Sequence, residues 1–169
     1  MTMSDIDMMM IDVIGKYRWE ICRKLQGVRW NEISEPSLTS EYYDFLEFYK
    51  KNRNLTADGK EKLKVTLNRV KGSFREFFVL DYINWSKYES LGNFRLNKIS
   101  REILSKYCPF PNEIRYKLIE NPMFKNIFSK YENRMIQQET KMKNSLSKYK
   151  SEGGEITKEL MDTLHFYSR

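Results

Sequence analysis

The sequence predicts an all-α protein, a single-domain bundle of about six helices. Apolar residues recur at steps of three and four along most of the 169 residues. Hydrophobic residues make up 40% and aromatic residues 14%, enough for one domain with a sizeable core. The one strand-like run, FFVLDYINW, lacks the strict alternation of a half-buried strand. Two of the helices are expected to be long, at about residues 57–91 and 122–150.

The first predicted helix starts at residue 4 or 5 and runs to about residue 26, with Gly27 as its stop. Residues 28–36 are interpreted as a connecting loop, and a second helix is expected at about residues 39–52. One apolar stripe runs along the first helix at steps of three and four: Ile6, Met10, Val13, Tyr17, Ile21 and Leu25.

The segment FREFFVLDYINWSKYESLGNFRL, residues 74–96, holds seven aromatic rings. At 100° per residue, an apolar stripe continues in register from Leu63 to Tyr88, which predicts one helix over residues 57–91, about 50 Å long. Further apolar residues lie on its opposite side: Val79, Leu80 and Ile83. A helix that is apolar on two sides is covered by other helices. The rings are therefore predicted to form a core rather than a platform for stacking bases.

Asp81 interrupts this aromatic stripe. A carboxylate buried there without a partner would cost several kcal/mol or stay protonated. We interpret Asp81 as a buried ion-pair candidate with a Lys or Arg of another helix, or as the acceptor of a tyrosine hydroxyl. The alternative is a functional carboxylate in a pocket.

The second half of the chain is expected to contain a helix ending near residue 107, a shorter helical piece, and the long helix at about 122–150. The predicted domain is residues 1–150, followed by a short linker and C-terminal helix at residues 151–169. The last half of the long helix has coiled-coil character, so a partner helix is expected from this chain or from another copy. Its seam candidates are Tyr131, Met135, Met142, Leu146 and Tyr149.

The formal net charge is +7, and residues 61–150 carry 19 basic and 9 acidic side chains, a difference of +10. This excess points to nucleic acid or an acidic protein surface, or to a basic face kept for solubility. Residues 94–118 read as two short helices joined by a turn, similar in outline to a helix-turn-helix. The candidates for contact with nucleic acid or an acidic partner are Arg95, Lys98, Arg101, Lys106, Arg115 and Lys117.

The chain has few side chains of the types that commonly act in catalysis. It has one histidine, His165, and two cysteines 86 positions apart, Cys22 and Cys108. The glycines form no phosphate-cradling loop. We therefore predict no enzyme activity, no catalytic residue, no metal site and no cofactor. No apolar run reaches the roughly 18–20 residues that span a bilayer, so no membrane contact is expected. An N-terminal segment with three aspartates and no basic leader predicts a cytoplasmic location, or a virion location for a viral component.

Two functions follow as expectations. The first is a non-catalytic structural or adaptor subunit of a larger assembly that acts through helix–helix contacts with protein partners or other copies. One alanine against 19 lysines suggests an AT-rich genome, so a phage or viral particle component is one form of this hypothesis. The alternative is a nucleic-acid-binding regulator that uses residues 94–118.

Overall fold

The computed structural model describes residues 3–26 and 36–167, and within these ranges every regular element is helical, which confirms the all-α prediction. The predicted stop at Gly27 and the loop at residues 28–35 lie outside the described residues. The eight α-helices of the described residues are α1 (Met3–Gln26), α2 (Leu38–Phe48), α3 (Ala57–Arg69), α4 (Phe74–Lys87), α5 (Lys98–Tyr107), α6 (Asn112–Leu118), α7 (Pro122–Ser151) and α8 (Lys158–Tyr167). Short 3₁₀ turns follow α2 and α4, at Tyr49–Lys51 and Glu89–Leu91.

The continuous helix predicted for residues 57–91 is wrong, because the chain breaks between α3 and α4. Lys71 and Gly72 both have positive φ values, 52° and 71°. The Gly72 N–H donates to the Leu67 carbonyl at 2.9 Å, as in a Schellman motif, which ends α3. Ser73 then caps α4, its side chain accepting the Glu76 N–H at 3.3 Å. The apolar stripe stays in register across the break, which is why periodicity alone did not reveal it.

The chain divides into two compact units, residues 1–114 and residues 115–169. In the first unit α4 packs against α1, α2, α3 and α5. The predicted boundary at residue 150 stays a prediction.

Aromatic rings fill the centre of the first unit, as predicted. Phe78 is fully buried, and its ring centroid lies 5.5 Å from that of Trp19 and 5.2 Å from that of Tyr42. Trp85 stacks on Phe110 at 3.8 Å, with the two ring planes 8° apart. Because ring contacts of this kind contribute beyond their buried area, the core holds α1, α2 and α4 together.

Helix α1 lies close to α4 at Gly15. A Cβ atom added to Gly15 would lie 3.0 Å from Cδ1 of Tyr82 and 3.6 Å from Cγ2 of Val79. The missing side chain therefore sets the distance between these two helices. On the same side of α1, Trp19 enters the aromatic core with 2% of its surface exposed.

In the second unit, α8 packs against α7. Helix α7 begins at Pro122, and the side chain of Asn121 caps it by accepting the Met123 N–H at 3.0 Å. It ends at Ser151, and Gly153, with a φ of 88°, lies in the turn that follows, where the Gly154 N–H donates to the Tyr149 carbonyl at 3.0 Å. The segment after residue 150, predicted as a short linker, thus begins with an ordered helix stop.

Candidate functional site

The side of α1 that points away from the core is exposed and mostly apolar, with Lys24 as an exposed charged residue within it. We call this surface the α1 face. Val13 is 63% exposed, Tyr17 65% and Leu25 80%. At 100° per residue its members fall within about 160° of the helix circumference. They are Ile6, Met9, Met10, Val13, Ile14, Tyr17, Ile21 and Leu25.

The predicted apolar stripe of α1 is therefore present, but it lies on the solvent side. The buried side is a second, shorter row that includes Gly15 and Trp19. Sequence analysis missed this row because glycine carries no hydrophobic signal. The pair of a glycine and a tryptophan four residues apart was the available clue, since one permits close approach and the other fills space.

Two apolar grooves run along the α1 face, each of about 350 Å³. The first is a shallow depression lined by α1 alone, with Met9, Met10 and Val13 among its residues. Tyr17 and Leu25 line the second, whose far wall includes Leu38 and Tyr107. Grooves lined this way accept side chains of a partner helix, as in ridges-into-grooves packing.

Two of the six basic residues predicted to contact an acidic partner are committed to contacts inside the first unit. Arg101 is 2% exposed and forms an ion pair with the fully buried Glu89. Lys106 forms an ion pair with Glu41, whose carboxylate also lies 2.8 Å from the Tyr107 hydroxyl. Arg101 faces the core rather than solvent and is not accessible to nucleic acid.

The other four basic candidates lie nearer the surface. Lys98 and Lys117 are exposed. Arg95 is also exposed, and its guanidinium stands 3.5 Å from the centroid of the Tyr88 ring. Arg115 is half-buried and stands 4.4 Å from the centroid of the Tyr131 ring. Arg95 and Lys98 lie in the first unit, and Arg115 and Lys117 in the second.

The connection between the two predicted short helices packs into the core of the first unit. Cys108 and Phe110 are both 5% exposed. The indole N–H of Trp85 donates to the Cys108 carbonyl at 2.8 Å, and Phe110 stacks on the Trp85 ring. Pro109 and Pro111 flank this buried phenylalanine.

Asp81 is buried, and it accepts a hydrogen bond from a tyrosine hydroxyl. The Tyr42 hydroxyl donates to Asp81 Oδ2 at 3.2 Å. Burial raises the pKa of Asp81 to about 7, while hydrogen bonds from Ser100 and Tyr42 oppose that rise and the charge of Glu89 adds to it. Burial, followed by the charge of Asp81, raises the pKa of Tyr42 well above its usual value. The buried ion pair of the first unit is Glu89–Arg101, which sequence analysis did not identify.

Asp81 also lines a cleft of about 350 Å³ between α3, α4 and the segment before α5. Three basic side chains line the same cleft: Lys62, Arg69 and Arg95. Lys62 is paired with Asp58 at 2.7 Å across one turn of α3. The cleft is thus basic at its rim, with a carboxyl group in its wall that loses much of its charge below about pH 7.

The five predicted seam residues of α7 are covered to different extents within the second unit. Leu146 is buried at 7% exposed, Met135 and Met142 are half-buried, and Tyr149 is 47% exposed. Tyr131 is half-buried beneath Arg115. A Cβ atom on Gly154 would come within 2.4 Å of the Tyr149 ring, so the turn after α7 packs tightly on this residue. Helix α8 of the same chain packs against α7, and the partner of the predicted seam stays a prediction.

Among the described residues, no group of three or more His, Cys, Asp or Glu side chains could hold a metal ion. Across residues 3–26 and 36–167, no helix is long and apolar enough to cross a membrane.

A family model described as a domain of unknown function, DUF8509, matches residues 27–167. No curated protein and no solved structure matches the chain. The matched residues begin directly after α1 and include both basic candidates and seam candidates. The match therefore covers the second unit almost to its end and the first unit without α1, so the α1 face lies outside it.

Proposed function

We propose that this chain, which belongs to the family of domains of unknown function DUF8509, is a non-catalytic structural or adaptor subunit. It joins a larger assembly through helix–helix contacts made by the α1 face. The observation that carries this proposal is the row of eight large apolar side chains exposed along one helix. Monomeric proteins rarely expose contiguous apolar patches beyond a few hundred Å², and larger ones mark interaction sites.

The free energy gained by burying the α1 face is comparable with the free-energy cost of association. Full burial of one large apolar side chain contributes about 1.5–3 kcal/mol. If the partly exposed members of the α1 face gain only about 1 kcal/mol each, eight of them give about 8 kcal/mol. Association costs about 4–15 kcal/mol in lost freedom, so burial of the α1 face offsets a cost in the lower part of this range.

The test is sedimentation of the wild-type protein and of the double variant Val13→Lys/Tyr17→Lys. The wild type should associate as its concentration rises through the micromolar range, and the double variant should stay monomeric with unchanged helix content. Both side chains are more than 60% exposed, so lysine should not disturb the fold.

The matched control is Val65→Lys. Val65 lies on α3, is 58% exposed and is not part of the α1 face. This variant should associate like the wild type. A wild type that is monomeric at every concentration, or a double variant that associates as well as the wild type, would refute the proposal.

A second candidate function, a nucleic-acid-binding regulator, is favoured by the convergence of Lys62, Arg69 and Arg95 on one cleft. Basic groups on neighbouring elements can follow a phosphate backbone. We include Lys98 as the exposed neighbour of this cluster, and leave out Arg101 because its replacement would break a buried ion pair.

Fluorescence anisotropy with labelled duplexes and single strands, repeated across salt, tests this alternative. Arg69→Glu/Arg95→Glu should abolish binding, whereas Lys64→Glu, at an exposed α3 position outside the cleft, should leave it unchanged. Binding that survives near-physiological salt and differs among sequences would favour the regulator. A steep loss with salt and no sequence preference would leave only a charged surface.

A further inference from the structure

The charges of α1 are separated along its length. Its first half, residues 3–14, carries Asp5, Asp7 and Asp12 and no basic residue, a net charge of −3. Its second half, residues 15–26, carries four basic residues and Glu20, so +4 and −1 give +3. The helix as a whole is neutral, but it is strongly polar from end to end.

We propose that the partner of the α1 face is the α1 face of a second copy, packed antiparallel about a twofold axis. This inference rests on the proposed function, since it names the partner for the same surface. An antiparallel pair places the −3 half of each helix beside the +3 half of the other. A parallel pair would place like charges together along the whole contact, which is destabilising.

A twofold axis near Ile14 aligns both the charges and the apolar side chains. Residues equally far from the axis in sequence then face each other. Asp5 and Arg23 are each nine residues from Ile14, so at 100° per residue both lie on one flank of the helix, about 40° beyond Met9 and outside the α1 face. Met10 and Tyr17, four and three residues from Ile14, meet near the centre, and Ile6 and Ile21, eight and seven residues from Ile14, meet further out. The contact is isologous, because each residue makes the same contact in both copies.

The same charge pattern argues against a lipid surface as the partner. Helices that lie on membranes are rich in Lys and Arg on their polar face, which attracts anionic lipids. Helix α1 is neutral, and its acidic half would be repelled by such a surface. Binding of the wild type to anionic vesicles, with no association in solution, is therefore an outcome that would overturn the proposal.

Cross-linking with a short bismaleimide tests the orientation. Two chains, each carrying Cys22→Ser, receive one new cysteine: Asp5→Cys in one and Arg23→Cys in the other. Cys108 stays, because it is 5% exposed and burial raises the pKa of its thiol to about 11, so it reacts slowly. The expected product of the mixture is the Asp5–Arg23 cross-link between chains.

Cross-links that join Asp5 to Asp5 and Arg23 to Arg23 would show a parallel pair and overturn the antiparallel arrangement, as would the absence of any cross-link. A control chain with Lys64→Cys on exposed α3 measures random collisions and should give only background. The parallel result, together with lost association in Val13→Lys/Tyr17→Lys, would leave the proposed function standing. A monomeric wild type would overturn both.

Charge reversal gives an independent readout. Asp5→Lys/Asp7→Lys changes the first half of α1 from −3 to +1, and Arg23→Glu/Lys24→Glu changes the second half from +3 to −1. Each variant alone should lose self-association, because both halves then carry the same sign. A mixture of the two should associate again, since one helix is positive and the other negative throughout.

Undiminished self-association of either variant alone would overturn the proposal, and so would failure of two well-folded variants to associate when mixed. The reversals remove charges that suit the helix dipole, a loss of about 0.3–1 kcal/mol each, so circular dichroism of each variant is required. If either loses helix content, the cross-linking result decides, because its cysteine substitutions reverse no charge.

Discussion

Glu89 and Arg101 form a buried ion pair with two parallel hydrogen bonds. Arg101 Nε donates to Glu89 Oε2 at 2.6 Å, and Arg101 Nη2 donates to Oε1 at 2.9 Å. Glu89 Oε1 also accepts the backbone N–H groups of Arg95 and Leu96, each at 2.8 Å. Arg101 Nη2 donates in turn to the Leu96 carbonyl at 2.8 Å. The pair thus fixes the segment that leads into α5.

Arg101→Met should lower the free energy of unfolding of the first unit by about 3–5 kcal/mol, because it leaves the Glu89 carboxylate buried without its partner. Urea unfolding, followed by fluorescence of the buried Trp19 and Trp85, measures the loss.

The double variant Glu89→Gln/Arg101→Met provides the control for this prediction. The glutamine oxygen still accepts the N–H groups of Arg95 and Leu96, but no unpaired charge remains. It should therefore be more stable than Arg101→Met alone. A double variant less stable than the single one would contradict the assignment of the loss to buried charge.

Asp81 should make the stability of the protein depend on pH. Burial raises its pKa from 3.8 to about 7, so the folded protein holds this proton more tightly than the unfolded chain does. Its contribution is fully present below about pH 4 and is lost as the pH rises through 7. A shift of about three pH units corresponds to about 4 kcal/mol.

Asp81→Asn should remove this contribution, since asparagine has no proton to lose and still accepts the Tyr42 hydrogen bond. The difference in unfolding free energy between variant and wild type, measured from pH 4 to pH 8, should move in favour of the variant as the pH rises. Asp58→Asn, at an exposed position, serves as the control. A difference that stays constant across this range would exclude Asp81 as the source.

Two substitutions at the break between α3 and α4 should have different effects on stability. Gly72→Ala places a Cβ at a φ of 71°, with no atom within 4 Å to contact it, so its cost of about 1 kcal/mol is a backbone effect. Lys71→Gly relieves a non-glycine residue at a φ of 52° and should be neutral or stabilising. Thermal unfolding of both variants measures these two changes in stability. Gly72→Ala with wild-type stability would contradict the left-handed turn.

The fold class and most helix positions could be predicted because periodicity and caps are local properties of the sequence. The break at Lys71 could not be predicted from the stripe, which continues across it. Its clue was Gly72 followed by Ser73 and, three residues later, Glu76, a signature of a helix stop and a capped start.

The choice of buried face and of buried charges depends on packing between distant segments. Helix α1 is apolar on two sides, and only its contact with α4 at Gly15 decides which side is covered. Arg101 looks like any other basic residue of its segment until Glu89, twelve positions away, is placed beside it. The candidate α1 face was thus visible in the sequence as a stripe, but its exposure was not.

The half-buried methionines of the α7 seam can be tested on their own, because α8 of the same chain packs against α7. Met135→Glu/Met142→Glu should loosen α8 from α7 and leave association through the α1 face unchanged, since both methionines are already half-buried in the second unit. Hydrogen exchange of α7 amides and limited proteolysis of residues 115–169 should show the loss. Ile136→Glu, at a 60% exposed position of the same helix, should change neither the packing of α8 on α7 nor association through the α1 face. A fall in assembled mass while residues 115–169 stay protected would instead show that the seam contacts another copy.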